Sequence, residues 1–255
     1  LAFTAATRAA LSPIPTTLMA QSDVIVSNKQ GINFASGKNR LGVFTVPAAA
    51  FADPRFYATE SPRQLRASLV EYCKNAILLG GAHFETAMAY FAEGNPLSAA
   101  KLRQLLRYSL EQKFEIAKQD PTERGFGLVL EYGHTVGHAV EFLSQGRVLH
   151  GEAVYHGMKV AGRLANILGI LPDAEYKKQM SLLNRIPEIP GIPADISVGQ
   201  ILQSAQRDNK KRDKGLAFIL MQAIGQPHRH GQSVLTPVPE EALQQVLLEY
   251  RDALL

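Results

Sequence analysis

Four of the chain's seven histidines fall within residues 130–158, LEYGHTVGHAVEFLSQGRVLHGEAVYHGM, and no other stretch restricts the fold as much. His134 and His138 are four residues apart, so on a helix they share one face. Val136, Val140, Phe142 and Leu143 supply an apolar side for that helix, and Gly146 is a natural stop. His150 then arrives just before a second helical pattern, Ala153 to Leu168. Two facing helices can set His134 beside His150, and one carboxylate from elsewhere would complete a metal site. Such spacing is met more often in packed or capped histidines, and the His-Glu-x-x-His signature of zinc proteases is absent. The pattern points to a site without naming its chemistry.

The remainder is ordinary globular material. With 46% apolar and 20% charged residues, 255 residues suffice for one large domain or two smaller ones. A single cysteine, Cys73, excludes an internal disulfide and suits a reducing cytoplasm; it lies on an apolar helical pattern and reads as a buried filler. No apolar run is long enough to span a bilayer, so no membrane partner is expected. A net charge of +4 is too small to argue for nucleic acid and suits an anionic metabolite equally well. There is no Gly-rich dinucleotide fingerprint and no internal repeat.

Residues 11–60 read as short strands and loops punctuated by Pro13, Pro15, Pro47 and Pro54, after an Ala-rich helical start. Lys29 and Lys38 flank a Gly-containing loop and can each donate to a phosphate or a sugar hydroxyl. Ser61-Pro62-Arg63-Gln64 forms a capping box that opens a helix with a stripe of Leu65, Leu69, Tyr72, Cys73, Ala76 and Leu79. On it Glu71 and Lys74 read as a surface ion pair. A helix from Leu97 to about Lys118 carries Lys113, which by itself reads as an exposed charge, and Asp120 to Glu123 reads as a turn. Further helices are expected over Glu175–Arg185, Ile196–Arg207 and Pro239–Leu254, with a proline-rich linker at Ile186–Pro193. Arg207 to Lys214 is the strongest charge run, and Leu216–Gln222 reads as one buried strand.

GHTVGHAVE followed by HGEAVYHGM resembles the metal-binding core of the dehydroquinate synthase superfamily, the sugar phosphate cyclases. EYGHTVGHAVE, SNKQGIN, GKNRLG, DNKK and LTPV look most like its 2-deoxy-scyllo-inosose synthase branch, in the right order through nearly the whole chain. The resemblance implies an α/β remnant of a nucleotide-binding domain over 1–60. A mainly α-helical metal- and substrate-binding domain follows over 61–255. It also implies that a Gly-rich half precedes Leu1, so that the fragment alone is expected to be inactive and to bind NAD poorly.

By the same resemblance Glu71, His134 and His150 hold a divalent metal, Zn²⁺ or Co²⁺. Lys38, Asn39, Lys74, Lys113 and Lys210 contact a sugar phosphate. Thr16, Thr17 and Asp23 face the NAD, and the loop from Phe56 to Thr59 closes over it. His138, Lys29 and Glu131 take part in the chemistry, His138 as a proton shuttle. The full-length protein is expected to be a cytoplasmic homodimer. His83, His156, His228 and His230 match no family site. The implied reaction uses NAD transiently: oxidation, loss of phosphate, reduction and aldol closure to a carbocycle.

The sequence departs from dehydroquinate synthases at two positions. Those enzymes typically carry Arg seven residues before the first motif His and Asn three before it, around a carboxylated substrate. Here the residues are Gly127 and Glu131. A carboxylate facing an added Glu would cost several kcal/mol. Glucose 6-phosphate, which has no carboxylate, suits the exchange, so conversion to 2-deoxy-scyllo-inosose is expected. The valiolone-forming cyclases usually replace the second motif His, kept here as His138. The alternatives are a divergent 3-dehydroquinate synthase, a metal-dependent phosphohydrolase and a non-catalytic partner subunit.

Overall fold

The computed structural model describes residues 10–34, 37–92, 94–120, 125–210 and 216–252. The expected Ala-rich helical start, the turn after Asp120 and the centre of the charge run fall largely outside these residues. Helix α1 (Leu18–Ser22) is capped by Thr17, whose hydroxyl accepts from the Ala20 N–H, and a 3₁₀ turn, Val24–Val26, follows. Strands β1 (Lys29–Phe34) and β2 (Gly37–Phe44) then pair antiparallel, Lys29 opposite Phe44 and Gly31 opposite Gly42. A 3₁₀ turn over Phe56–Thr59 leads to the helices. Two bonds tie this part down: Leu18 N–H donates to Glu60 Oε1 at 2.6 Å, and Gln21 Nε2 donates to the Asp53 carbonyl at 2.9 Å.

The rest is a helical body with small strand pairs. It contains α2 (Pro62–Leu79), α3 (Gly81–Ala92), α4 (Ala99–Gln119), α5 (His134–Ser144), α6 (His150–Ile167), α7 (Asp173–Leu183) and α8 (Val198–Lys210). Strands β3 (Ala217–Ile219), β4 (Met221–Ala223), β5 (Gln226–Pro227) and β6 (Leu235–Pro237) follow, and α9 (Glu240–Asp252) closes it. The expected capping box starts α2: Ser61 accepts from the Gln64 N–H, and Gln64 accepts from the Ser61 N–H. Helix α2 is buried without a break from Ala67 to Leu78 and packs on α1, α3, α4 and α6. A helix buried on every side is a central one. Its polar residues therefore need a chemical explanation.

Helices α5 and α6 cross closely enough to demand glycine. A Cβ on Gly157 of α6 would stand 1.8 Å from the Gly133 carbonyl oxygen. Gly133, the residue that starts α5, has φ +80°, where a side chain is strained. His156 of α6 is buried; its Nε2 lies 2.9 Å from the Pro190 carbonyl, so it donates there. Its Nδ1 must then accept from the Tyr250 hydroxyl at 2.7 Å. One neutral ring thus joins α6, α9 and the linker, and burial pushes its pKa down to about 4.

Two expectations change. Phe142 does not serve the core; it is 69% exposed, because α5 buries His134, Val136, Gly137, Ala139, Val140 and Ser144 instead. The single strand expected at Leu216–Gln222 is two. β3 pairs with β6 and β4 with β5, so the chain changes partner at Leu220.

Gly157→Ala is expected to cost about 2–3 kcal/mol by overpacking, seen as a fall in Tm of roughly 5–10 °C. The fold holds His156 neutral, so its contribution is complete above pH 6.5 and is lost as pH falls toward 4. Denaturant titrations between pH 7 and 4 should show up to about 3 kcal/mol of lost stability assignable to this ring, and His156→Gln should flatten that slope.

Candidate metal centre

Three elements deliver one donor each to a single point: Glu71 from the middle of α2, and His134 and His150 as the first helical residues of α5 and α6. The start of α6 is set by Glu152, whose Oε2 accepts from the Leu149 N–H at 2.8 Å. Arg63 of α2 grips the same carboxylate at 2.6 and 2.7 Å, fixing α6 against α2.

Glu71 Oε1 lies 3.8 Å from His134 Nε2 and 3.7 Å from His150 Nε2. These separations are too long for hydrogen bonds. Ligands of a tetrahedral ion with bonds of about 2.0–2.1 Å stand roughly 3.3 Å apart, close to what is found. The tautomers agree. His134 Nδ1 is 3.1 Å from the Tyr132 carbonyl, which can only accept, so Nε2 keeps its lone pair. His150 Nδ1 is 3.0 Å from Glu141 Oε2, which leaves its Nε2 free in the same sense. Glu71 Oε1 is buried and accepts no hydrogen bond from the described residues. A buried carboxylate oxygen facing two imidazole lone pairs, with no hydrogen bond of its own from the described residues, is a position that a cation would satisfy. These donors fit a divalent metal.

The electrostatics point the same way. Burial opposes ionisation of Glu71, but its neighbours, the Lys74 ammonium foremost, overcome it and hold the carboxyl well below its usual range. Lys74 Nζ sits 2.5 Å from Glu71 Oε2. Burial first, then Lys74, pushes the His134 imidazole far down, so it is neutral, as a ligand must be. The reading of Glu71 and Lys74 as a surface pair is overturned, for the two are 3% and 2% exposed.

The other expected site residues divide. His138 stands one turn beyond His134, ring centroids 5.1 Å apart, and 6.1 Å from His150. It shares a cavity of about 300 Å³ with Glu141, Phe142, Gly146, Val148, Leu149 and His150. Glu131, half-buried at the end of a 3₁₀ turn, Phe126–Glu131, is close enough to act on the charge of His134. Lys113 is buried rather than exposed and pairs with Asp23 at 2.5 Å, joining a residue expected at the substrate to one expected at the cofactor. Thr17 caps α1, Thr16 is exposed, and Thr59 donates to the Phe56 carbonyl. Lys29 opens β1, Lys38 and Asn39 lie on β2, and Lys210 ends α8. Glu141 was not among the expected site residues. Its signal is the spacing to His138, three residues on along the same helix.

Lys74→Met removes one partner of a buried pair and is expected to destabilise the metal-free protein by about 3–5 kcal/mol. A divalent ion takes over the neutralising of Glu71. Thermal unfolding with and without added Co²⁺ should therefore show a larger metal-induced rise in Tm for the variant than for the parent.

The sequence matches the patterns named 3-dehydroquinate synthase N-terminal over residues 2–67 and 3-dehydroquinate synthase C-terminal over 68–211. The 2-deoxy-scyllo-inosose synthase of Niallia circulans is 34% identical over 245 residues, 94% of this chain and 67% of the relative. A 3-dehydroquinate synthase of Rippkaea orientalis is 34% identical over 215 residues, 83% of this chain and 59% of the relative. Among solved structures, a 2-deoxy-scyllo-inosose synthase complexed with carbaglucose-6-phosphate, NAD⁺ and Co²⁺ is similar with a TM-score of 0.84 at 34% identity, covering 94% of this chain and 66% of that one. The 2-epi-5-epi-valiolone synthase of Streptomyces hygroscopicus, with NAD⁺ and Zn²⁺ bound, gives 0.82 at 25% identity over 98% and 68%. The chain thus spans about two thirds of the length of most of these relatives.

Proposed function

The chain belongs to the 3-dehydroquinate synthase family, and from that premise we propose that the full-length protein is a sugar phosphate cyclase that converts glucose 6-phosphate to 2-deoxy-scyllo-inosose with release of phosphate. The observation that carries the substrate choice is the pair Gly127 and Glu131. Gly127 is buried, offers no side chain, and spends its N–H on Asp120 Oδ2 at 3.0 Å. Where a carboxylated substrate would need a cation, this chain has none at that position and a carboxylate at Glu131. Ionised Glu131 accepts hydrogen bonds and repels carboxylates, so it favours a ligand whose reacting end carries hydroxyls.

A divalent ion on Glu71, His134 and His150, Zn²⁺ or Co²⁺ as in the relatives, supplies Lewis acidity toward neighbouring sugar oxygens, and NAD supplies reversible oxidation of a ring alcohol. The chain's own residues do the rest. Lys74 and Lys113, with Lys29, Lys38 and Lys210, are assigned to the phosphate of the substrate; Lys74 and Lys113 are buried and held in place by their pairs with Glu71 and Asp23. Lys74 also keeps Glu71 ionised and so keeps its donor oxygen available. His138, lining the cavity beside the two ligand rings, moves the proton of the reacting hydroxyl. Thr16, Thr17, Asp23 and the Phe56–Thr59 turn are assigned to the cofactor side.

A divergent 3-dehydroquinate synthase is the second reading, favoured by relatives of equal identity under that name. Competition between glucose 6-phosphate and the carboxylated heptulosonate phosphate on the full-length protein, with NAD and Co²⁺, separates the two. Faster cyclisation of glucose 6-phosphate is expected, with Glu131→Asn lowering kcat/KM for it by about 10–100-fold, the worth of hydrogen bonds to one charged group. Preferential turnover of the heptulosonate, unchanged in Glu131→Asn, would overturn the proposal.

A further inference from the structure

We propose that Glu141 is the outer carboxylate of the metal centre: it positions His150 and sets how tightly the site holds a divalent cation. The inference rests on reading Glu71, His134 and His150 as the ligands, and it concerns a residue outside that set. The ligands are not held equally. Glu71 and His134 are 3% and 11% exposed at the side chain, whereas His150 is 32% exposed. Burial and internal partners, Lys74 for Glu71 and the Tyr132 carbonyl for His134, hold the first two. The third ring has an open side toward the cavity and needs a specific partner to hold it.

Glu141 is that partner. Its Oε2 stands 3.0 Å from His150 Nδ1, on the ring edge away from Glu71. An ionised carboxylate only accepts, so Nδ1 carries the proton and Nε2 keeps its lone pair on the side facing Glu71 Oε1, 3.7 Å away, where a metal ion would sit. His134 receives the same service from the Tyr132 backbone carbonyl. The His150 arrangement uses a charge instead, which raises the donor strength of the ring as well as orienting it.

The local chain is built to keep the two groups in register. Glu141 lies on α5, about two turns beyond His134, so one helix supplies a ligand and the clamp for the ligand of α6. Ser144 donates to the Glu141 carbonyl at 2.8 Å, and its Oγ accepts from the Val148 N–H at 3.2 Å. That pair of bonds ties the connection leading to His150 back onto the turn that carries Glu141.

The test is cobalt affinity, read by competition with a chromophoric chelator on the metal-stripped full-length protein, together with the visible spectrum of the bound ion. Parent, Glu141→Gln, Glu141→Ala and Glu71→Ala are compared. Glu141→Gln keeps an acceptor for the ring N–H but loses the charge, and is expected to bind about 10-fold more weakly; Glu141→Ala loses both and should approach 100-fold, with a changed spectrum. Parent-like affinity and spectrum in both Glu141 variants, with binding abolished in Glu71→Ala, would overturn the inference and leave the metal site standing. Parent-like binding by Glu71→Ala would instead remove the metal-site reading itself, and the role of Glu141 with it.

Discussion

A carboxylate buried near the middle of the central helix governs the structure. Glu71 lies within the stretch of α2 that is closed to solvent from Ala67 to Leu78. An unpaired charge there would cost several kcal/mol, so the surrounding elements must answer it. Lys74 answers one oxygen from a turn away on the same helix. The other oxygen is faced by two rings from two further helices, neither close enough for a hydrogen bond. The arrangement becomes electrically sensible when a divalent cation completes it.

That requirement explains features with no catalytic look. Gly133 and Gly157 let α5 and α6 approach until their first residues, both histidines, reach the same carboxylate. Glu152, clasped by Arg63, stops α6 from starting a residue early or late, which would rotate His150 by about 100° around the helix. Farther out, His156 holds the other end of the assembly by binding α6 to α9 and the linker. Geometry at the centre is thus set by backbone contacts and ion pairs that are themselves mostly buried, a rigid support of the kind a metal site needs.

Much of this was legible in the sequence. The helix period put His134 and His138 on one face, the pattern of two successive helices allowed His150 to meet them, and the capping box at Ser61 placed the start of α2 correctly. The burial of Glu71 and Lys74 was not legible, because spacing of three is the same for a surface pair and a core pair; only resemblance pointed inward. Lys113 was misleading for the same reason, since its burial depends on Asp23, ninety residues away. Phe142 shows the converse: an apolar residue next to a buried stripe need not belong to it, and this one stands beside the cavity near His138. Glu141 lay in plain view within GHTVGHAVE, but an outer-sphere role depends on where another helix puts a ring. Local pattern carries no such information.

The most direct measurement is X-ray absorption at the metal edge of the full-length protein loaded with one equivalent of Co²⁺ or Zn²⁺. The account predicts a first shell of nitrogen and oxygen only, with the outer-ring scattering of two imidazoles. A sulfur scatterer, which would mean that Cys73 rather than Glu71 faces the ion, or the signature of a single imidazole, would contradict it.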